Sequence, residues 1–154
     1  MTMVSCEIIK ADKSHLNLLL ANMRRMDIDE CKAGGWSPGR ALRQSYRSSF
    51  YVRSAFFDGK IAVIWGMCGP VIGSISHVWA LTTPEVDKAP FTFAKHARKE
   101  LDLALSIKPV LITHVWAEYT QAVRFFGLLG FQVYKPQPVG RDGALFHQIL
   151  IARL

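Results

Sequence analysis

The reading turns on residues 119–131, Tyr-Thr-Gln-Ala-Val-Arg-Phe-Phe-Gly-Leu-Leu-Gly-Phe, and on the run that leads into them at 110–116, Val-Leu-Ile-Thr-His-Val-Trp. Residues 110–116 are β-formers without polar alternation, the pattern of a strand covered on both faces. From Thr120 to Leu129 the period changes. Ala122, Phe125, Phe126 and Leu129 fall on one side of a helix, and Gly130 stops it as a C-terminal cap. A central strand followed by a helix that folds back over the sheet is the signature of a mixed α/β layout.

Working outward, residues 4–10 read as a short strand. Asp12 and Ser14 offer N-caps to a helix carrying Leu16, Leu19, Leu20, Met23 and Met26. Residues 27–39, with Gly34-Gly35 and Ser37-Pro38-Gly39, read as a loop, and Leu42, Tyr46, Ser49 and Phe50 repeat at helical spacing beyond it. Two strands, 52–57 and 60–68, flank Asp58-Gly59, a hairpin dipeptide, and residues 76–82 supply a third strand of the meander. Between Gly69-Pro70 and that strand, 71–75 reads as a short strand segment or a loop. Residues 90–106 place Ala94, Ala97, Leu101, Ala104 and Leu105 on one stripe, the clearest helix of the chain. Two closing strands, 131–134 and 145–152, surround a loop rich in proline and glycine. A single domain over 1–154 is expected.

The chain has 154 residues, 50% hydrophobic and 20% charged, which excludes disorder, collagen and coiled coil as whole-chain readings. Cys6, Cys31 and Cys68 are odd in number and far apart, the usage of reduced thiols in a cytosol-like compartment. No apolar run approaches the roughly 20 residues of a membrane span, and the N-terminus mixes charged and apolar residues unlike a signal peptide. The net charge of +7 favours an anionic partner, but the basic residues form no block of five, so nucleic acid is not the expected partner.

The element order resembles the GNAT acyltransferase superfamily over nearly the whole chain, and residues 119–131 carry the resemblance at residue level. The family helix runs Asn-x-x-Ala-x-x-Phe-Tyr-x-x-x-Gly-Phe, and this chain matches at Ala122, Phe125, Gly130 and Phe131. The resemblance implies one α/β (α+β) domain, a mixed, mostly antiparallel sheet splayed between strands four and five and flanked by helices. It implies acetyl-CoA or CoA as cofactor, the thiol arm pairing with Trp79, Ala80, Leu81 and Thr82, and Tyr119, Ala122, Phe125 and Phe126 beside it. Two departures stand out. Phe126 occupies the place of a tyrosine that protonates the leaving thiolate, and phenylalanine has no proton to give. The family's glycine-rich phosphate loop corresponds to Asp87-Lys88-Ala89-Pro90-Phe91-Thr92, which has no glycine, so Lys88, Ala89, Phe91 and Thr92 are left as the residues for the phosphate end.

A narrower resemblance is to internal virion protein A of short-tailed phages, carried by Lys32-Ala33-Gly34, Ile64-Trp65-Gly66, Cys68-Gly69, Ser76-His77-Val78-Trp79 and Arg124-Phe125. It implies a phage protein of the host cytoplasm or the packaged virion, with no established catalysis. Glu118, at the end of the central strand, and His114, on it, are the catalytic candidates, since ligands gather at strand ends in open α/β sheets. Arg40, Arg43 and Arg47 share a helix face which, with Trp36, offers an acceptor or partner surface for an acidic group. The histidines lack metal-ligand spacing, and no metal is expected. The expected role is a GNAT-fold protein with a degenerate acetyl-CoA loop that binds a protein in virion assembly or in the host. The alternative is an active acetyl-CoA-dependent N-acyltransferase acting on an amine of a protein or small molecule, and a nucleic-acid-binding module is the third.

Overall fold

The computed structural model describes residues 3–154. It begins with strand β1 (Cys6–Lys10), helix α1 (Lys13–Ala21), helix α2 (Arg25–Ala33) and helix α3 (Pro38–Ser48). A meander follows, of β2 (Ser49–Phe57), β3 (Lys60–Cys68) and β4 (Ile75–Thr82). Then come a single turn α4 (Glu85–Lys88), the long α5 (Pro90–Ile107), β5 (Val110–Trp116), α6 (Thr120–Leu128), β6 (Gln132–Val133) and β7 (Phe146–Ala152). No helix is long and apolar enough to cross a membrane among the described residues.

Local chemistry sets the boundaries. Asp12 caps α1 by accepting from the Ser14 and His15 N–H groups, and His15 reaches back to the Asp12 N–H as a capping box. Ser37 caps α3 through the Arg40 N–H, with Pro38 in the first turn, where its missing N–H costs nothing. Gly130 takes φ +105° to end α6, a left-handed conformation that a side chain would strain. Residues 69–74 form no strand. That loop is tied down by the buried Lys108, whose Nζ donates to the carbonyls of Val71 and Gly73.

The seven strands form one mixed sheet in the order β1-β2-β3-β4-β5-β7-β6. Neighbours run antiparallel except β4 and β5, which are parallel. β4 and β5 pair only over Ile75↔Val110, Ser76↔Leu111 and His77↔Ile112, whereas β5 pairs with β7 along its whole length from Val110 to Trp116. Beyond His77 the two parallel strands part, and a wedge opens in the middle of the sheet.

One core lies between the sheet and α1 and α3, built on Leu16, Leu19, Leu42, Ile61, Ile64 and Leu81. Fully buried leucines such as Leu19 and Leu42 each contribute about 2–5 kcal/mol against truncation to alanine. The other face is covered by α5 and α6, and more loosely. In the eighteen residues of α5 only Ala104 and Leu105 are buried, and α6 has no buried residue.

The main departure from the sequence reading is α2, which occupies part of the expected loop 27–39. Its inward face is Asp27, Glu30 and Cys31, with little apolar periodicity to announce a helix. The expected helix through Met26 breaks at Asn22, which caps α1. The place of the phosphate loop is taken by α4 and the start of α5.

Candidate functional site

The wedge opens into a cleft of about 530 Å³ lined from both faces of the sheet: Ala80, Leu81 and Thr82 of β4, Thr113, His114 and Val115 of β5, Ala122 and Phe125 of α6, and Asp27, Glu30 and Cys31 of α2. Strand alternation explains the β4 edge. Thr83 donates its N–H to Ala62 of β3, so Thr82 and Ala80 turn their backbone groups the other way, toward the cleft. Ala80 has no strand partner there, because the pairing with β5 has ended at His77.

Thr82 is held differently. Its N–H and its Oγ1 both donate to Asp27 Oδ2 at 2.6 Å, and its carbonyl accepts the Arg24 N–H at 2.9 Å. The other oxygen of Asp27 accepts the Tyr119 hydroxyl at 2.6 Å. Arg24 spans the same gap. Its Nη1 donates to Tyr119 Oη at 2.9 Å, and its Nη2 donates to Asp87 Oδ1 at 2.6 Å and to Gln121 Oε1 at 2.9 Å. The start of α2 thus links the end of β4 to the start of α6, and the buried Asp27 carboxylate is matched by three donors, which is the condition for burying it at all.

Glu30 lies one turn further along α2. Its carboxylate accepts the Trp116 N–H at 3.0 Å, at the end of β5. Burial pushes its pKa up to about 7, the Trp116 hydrogen bond pulling it back and the neighbouring Asp27 charge raising it again. Burial also raises Asp27, against the pull of Thr82 and Tyr119. The Tyr119 hydroxyl is shifted well up, by burial and then by Asp27. Cys31 is pushed to about 12 by burial and by both carboxylates, so it stays a thiol and not a nucleophile. A carboxylate in a cleft with a pKa near neutrality is matched to proton transfer at physiological pH.

The structure divides the expected site residues. Trp79, Ala80, Leu81, Thr82, Tyr119, Ala122, Phe125 and Phe126 all line the cleft, as does His114, which stacks on His77 at 6.4 Å and is lowered in pKa by burial and then by His77. Lys88, Ala89, Phe91 and Thr92 do not line it. Lys88 is exposed and paired with Glu85, Ala89 is buried, and the Phe91 ring points to solvent at 87% exposure. The bulk expected at the phosphate end is therefore absent, and Val86, Asp87, Pro90 and Phe93 form that wall. Glu118 is exposed and stands outside the lining. Arg40, Arg43 and Arg47 turn to solvent with Trp36, Arg40 lying over its ring, while the opposite side of α3 presents Ala41 and Ser45 to the cleft. Arg24, Asp27 and Glu30 are the residues that sequence reasoning missed. The only signal was an apolar-poor stretch whose acids recur at helical spacing, 27 and 30.

The cleft sits where parallel strands β4 and β5 separate, and the whole fold is similar to solved structures. Spermidine N-acetyltransferase from Vibrio cholerae, solved with CoA and spermine, superposes with a TM-score of 0.73 at 13% identity, over 96% of this chain and 95% of that one. The fold is the GNAT fold. A GNAT-family acetyltransferase from Bacillus anthracis gives 0.70 at 10% identity, over 97% and 98% of the two chains. The ribosomal-protein-S18-alanine N-acetyltransferase from Escherichia coli gives 0.65 at 15%, over 96% and 94%. At these identities the GNAT likeness is one of fold. No family model matches the chain, and no curated protein matches it. The narrower resemblance to internal virion proteins finds no support in these comparisons.

The GNAT fold implies coenzyme A, and the lining permits a test of fit. The free edge of Ala80 and the splay beside it suit an amide-bearing thiol arm. At the phosphate end no glycine loop exists, yet Phe91 leaves the opening clear and Arg24 neutralises Asp87 at 2.6 Å. α5 starts beside that end with no side-chain cap. The residues fit a thiol arm at Ala80, and for the diphosphate they offer neither a glycine cradle nor a free cation, Arg24 being committed to Asp87, Tyr119 and Gln121.

Proposed function

We propose that the protein is an acyl-CoA-dependent N-acyltransferase in which Glu30 is the general base. The single observation that carries this reading is the placement of a carboxylate with a pKa near 7 at the point where β4 and β5 part. Acyl-CoA, when bound, supplies an acyl group already activated as a thioester. Ala80 presents the free edge of β4 to its thiol arm, Ala122, Phe125 and Phe126 cover it, and the wall of Val86, Asp87, Pro90 and Phe93, where Arg24 pairs with Asp87, stands at the end its phosphates would reach. Glu30 takes the proton that an ammonium or amine acceptor must lose. The Trp116 N–H keeps that carboxylate aimed, and Asp27 keeps it basic by like charge. Tyr119 and Arg24 fix Asp27 in turn, as positioning residues.

The acceptor is an amine of a small molecule or of a protein. Among the lining carboxylates Asp87 is paired with Arg24 and Glu100 with Arg53, which leaves Asp27 and Glu30 without a salt bridge, and this favours a cationic acceptor. The neighbour solved with CoA and spermine, a spermidine N-acetyltransferase, holds a polyamine.

A second reading is favoured by one observation. Thr82 already gives its cleft-facing N–H to Asp27 and its carbonyl to Arg24, and the glycine loop is missing. On that reading the fold is a binding scaffold for a protein in phage assembly or in the host, and its place is the host cytoplasm or the virion. Calorimetric titration with acetyl-CoA, followed by thiol-release assays over a panel of amines, separates the two. Saturable binding in the micromolar range and amine-dependent release that is lost in Glu30→Gln are expected; no binding at millimolar ligand overturns the transferase reading and leaves the scaffold.

A further inference from the structure

The cleft is larger than a thiol arm running along β4 requires. Beyond Ala80 its lining continues across the sheet to Val63 and Trp65 of β3, Ala55 of β2 and Ile8 of β1. From β5 to β1 there are four strand spacings, so the cavity extends about 19 Å across the strands. This transverse arm lies under α5, with Phe93 and Ala97 as its roof. Small side chains line it, Ala55 on the sheet and Ala97 on the helix, and Phe93 stacks on Phe125 at 4.9 Å.

Its chemistry is as restricted as its shape. Glu100 accepts from Arg53 through both carboxylate oxygens, at 3.0 and 3.2 Å, and from the Trp65 indole N–H at 2.9 Å. His96, the other ionisable group in this arm, is pushed toward its neutral form by burial and then by Lys99 and Lys95. No unpaired charge is offered to an occupant, and the remaining walls are aliphatic and aromatic. An apolar space of this kind is stabilised by filling it with hydrocarbon.

We propose that the transverse arm takes the hydrocarbon tail of a fatty acyl group, so that the donor is a medium-chain acyl thioester and not acetyl-CoA. The inference rests on the acyltransferase reading, since it is the donor's own acyl chain that enters the arm. Each methylene buried is worth about a fourfold gain in affinity, so two of them already give about fifteenfold. The specificity-determining residues are then Ala55 and Ala97, where added bulk would close the arm.

The test is titration calorimetry of the intact chain with acetyl-CoA, octanoyl-CoA and free octanoate, repeated on Ala97→Phe and Ala55→Leu, with thermal melts to verify that each variant folds. Octanoyl-CoA is expected to bind more than tenfold tighter than acetyl-CoA, and that ratio is expected to fall close to one in whichever filled variant melts cooperatively. Equal affinities in the wild type, or a ratio that survives both substitutions, overturn the tail assignment while leaving acyl transfer standing. Binding of octanoate alone, without either thioester, makes the arm a fatty-acid site and overturns both readings, as does binding of none of the three.

Discussion

α2 and α3 follow one another along the chain and send their charges in opposite directions. α3 turns Arg40, Arg43 and Arg47 into water, and its inner side offers only small or apolar groups such as Ala41, Leu42 and Ser45. α2 turns Asp27 and Glu30 inward, beneath the edges of β4 and β5, and satisfies them with Thr82, Tyr119 and the Trp116 N–H. A run of exposed charge keeps its hydration and costs nothing, so it carries little information about chemistry. A buried carboxylate has lost its water and must be matched by donors, so it holds its neighbours in one arrangement and its own pKa moves.

The sharpest way to break this contrast is to exchange the charge on each helix in turn. Glu30→Gln keeps an acceptor for the Trp116 N–H but loses the base, and acyl transfer is expected to fall by about 10²–10⁴-fold, read as thiol release under saturating acyl-CoA. Arg43→Gln is expected to leave the same rate within twofold. A comparable loss in both would mean that α3 and not α2 serves the reaction.

Stability gives the next largest effect. Asp27→Ala leaves the Thr82 N–H, the Thr82 hydroxyl and the Tyr119 hydroxyl without their acceptor, a loss of about 3 kcal/mol or more in denaturant unfolding. Arg40→Ala is expected to change it by about 0.5 kcal/mol at most.

The pH dependence sharpens the comparison further. Glu30 binds its proton more tightly folded, with a pKa near 7, than unfolded, near 4.5. Its contribution is therefore most favourable below the unfolded value, is lost progressively as pH rises from about 4.5 to 7, and stays lost above that. The wild type is expected to lose about 2–3 kcal/mol relative to Glu30→Gln across this window, a difference in which the titration of all other groups cancels. Parallel stability curves for the two proteins would mean that Glu30 is hydrated.

The smallest effect concerns where α3 does reach the cleft. Ser49, which caps its end, accepts the Trp79 indole N–H at 2.7 Å. Ser49→Ala is expected to cost about 1 kcal/mol, measured by thermal unfolding and accompanied by a change in Trp79 fluorescence. No change in either would detach α3 from the site.

Much of this molecule was legible along the chain. The hairpin at Asp58-Gly59, the stripe of residues 90–106, the buried strand 110–116 and the glycine stop at 130 each rest on local rules, and all stand where the sequence places them. The wall of the cleft from Trp79 to Thr82 and the inner side of α6 were legible for the same reason, since strand and helix periods fix which residues face together. The helix α2 was not, because the periodicity that reveals a helix is apolar and its buried side is Asp27, Glu30 and Cys31. Glu118 looked the better acid because it stands at a strand end, but the chain turns there and leaves it in water.

The sequence by itself determined the order of the strands and of the helices other than α2 and α4, the GNAT layout they imply and the absence of a tyrosine at 126, because periodicity, turn residues and side-chain identity are properties of neighbours along the chain. Only the tertiary structure decided which carboxylates are buried in the cleft, that Phe91 leaves it open, and that its lining continues under α5. Those facts depend on burial and on contacts between residues as far apart as Glu30 and Trp116, and desolvation is set by what the whole fold brings around a group, not by its place in the sequence.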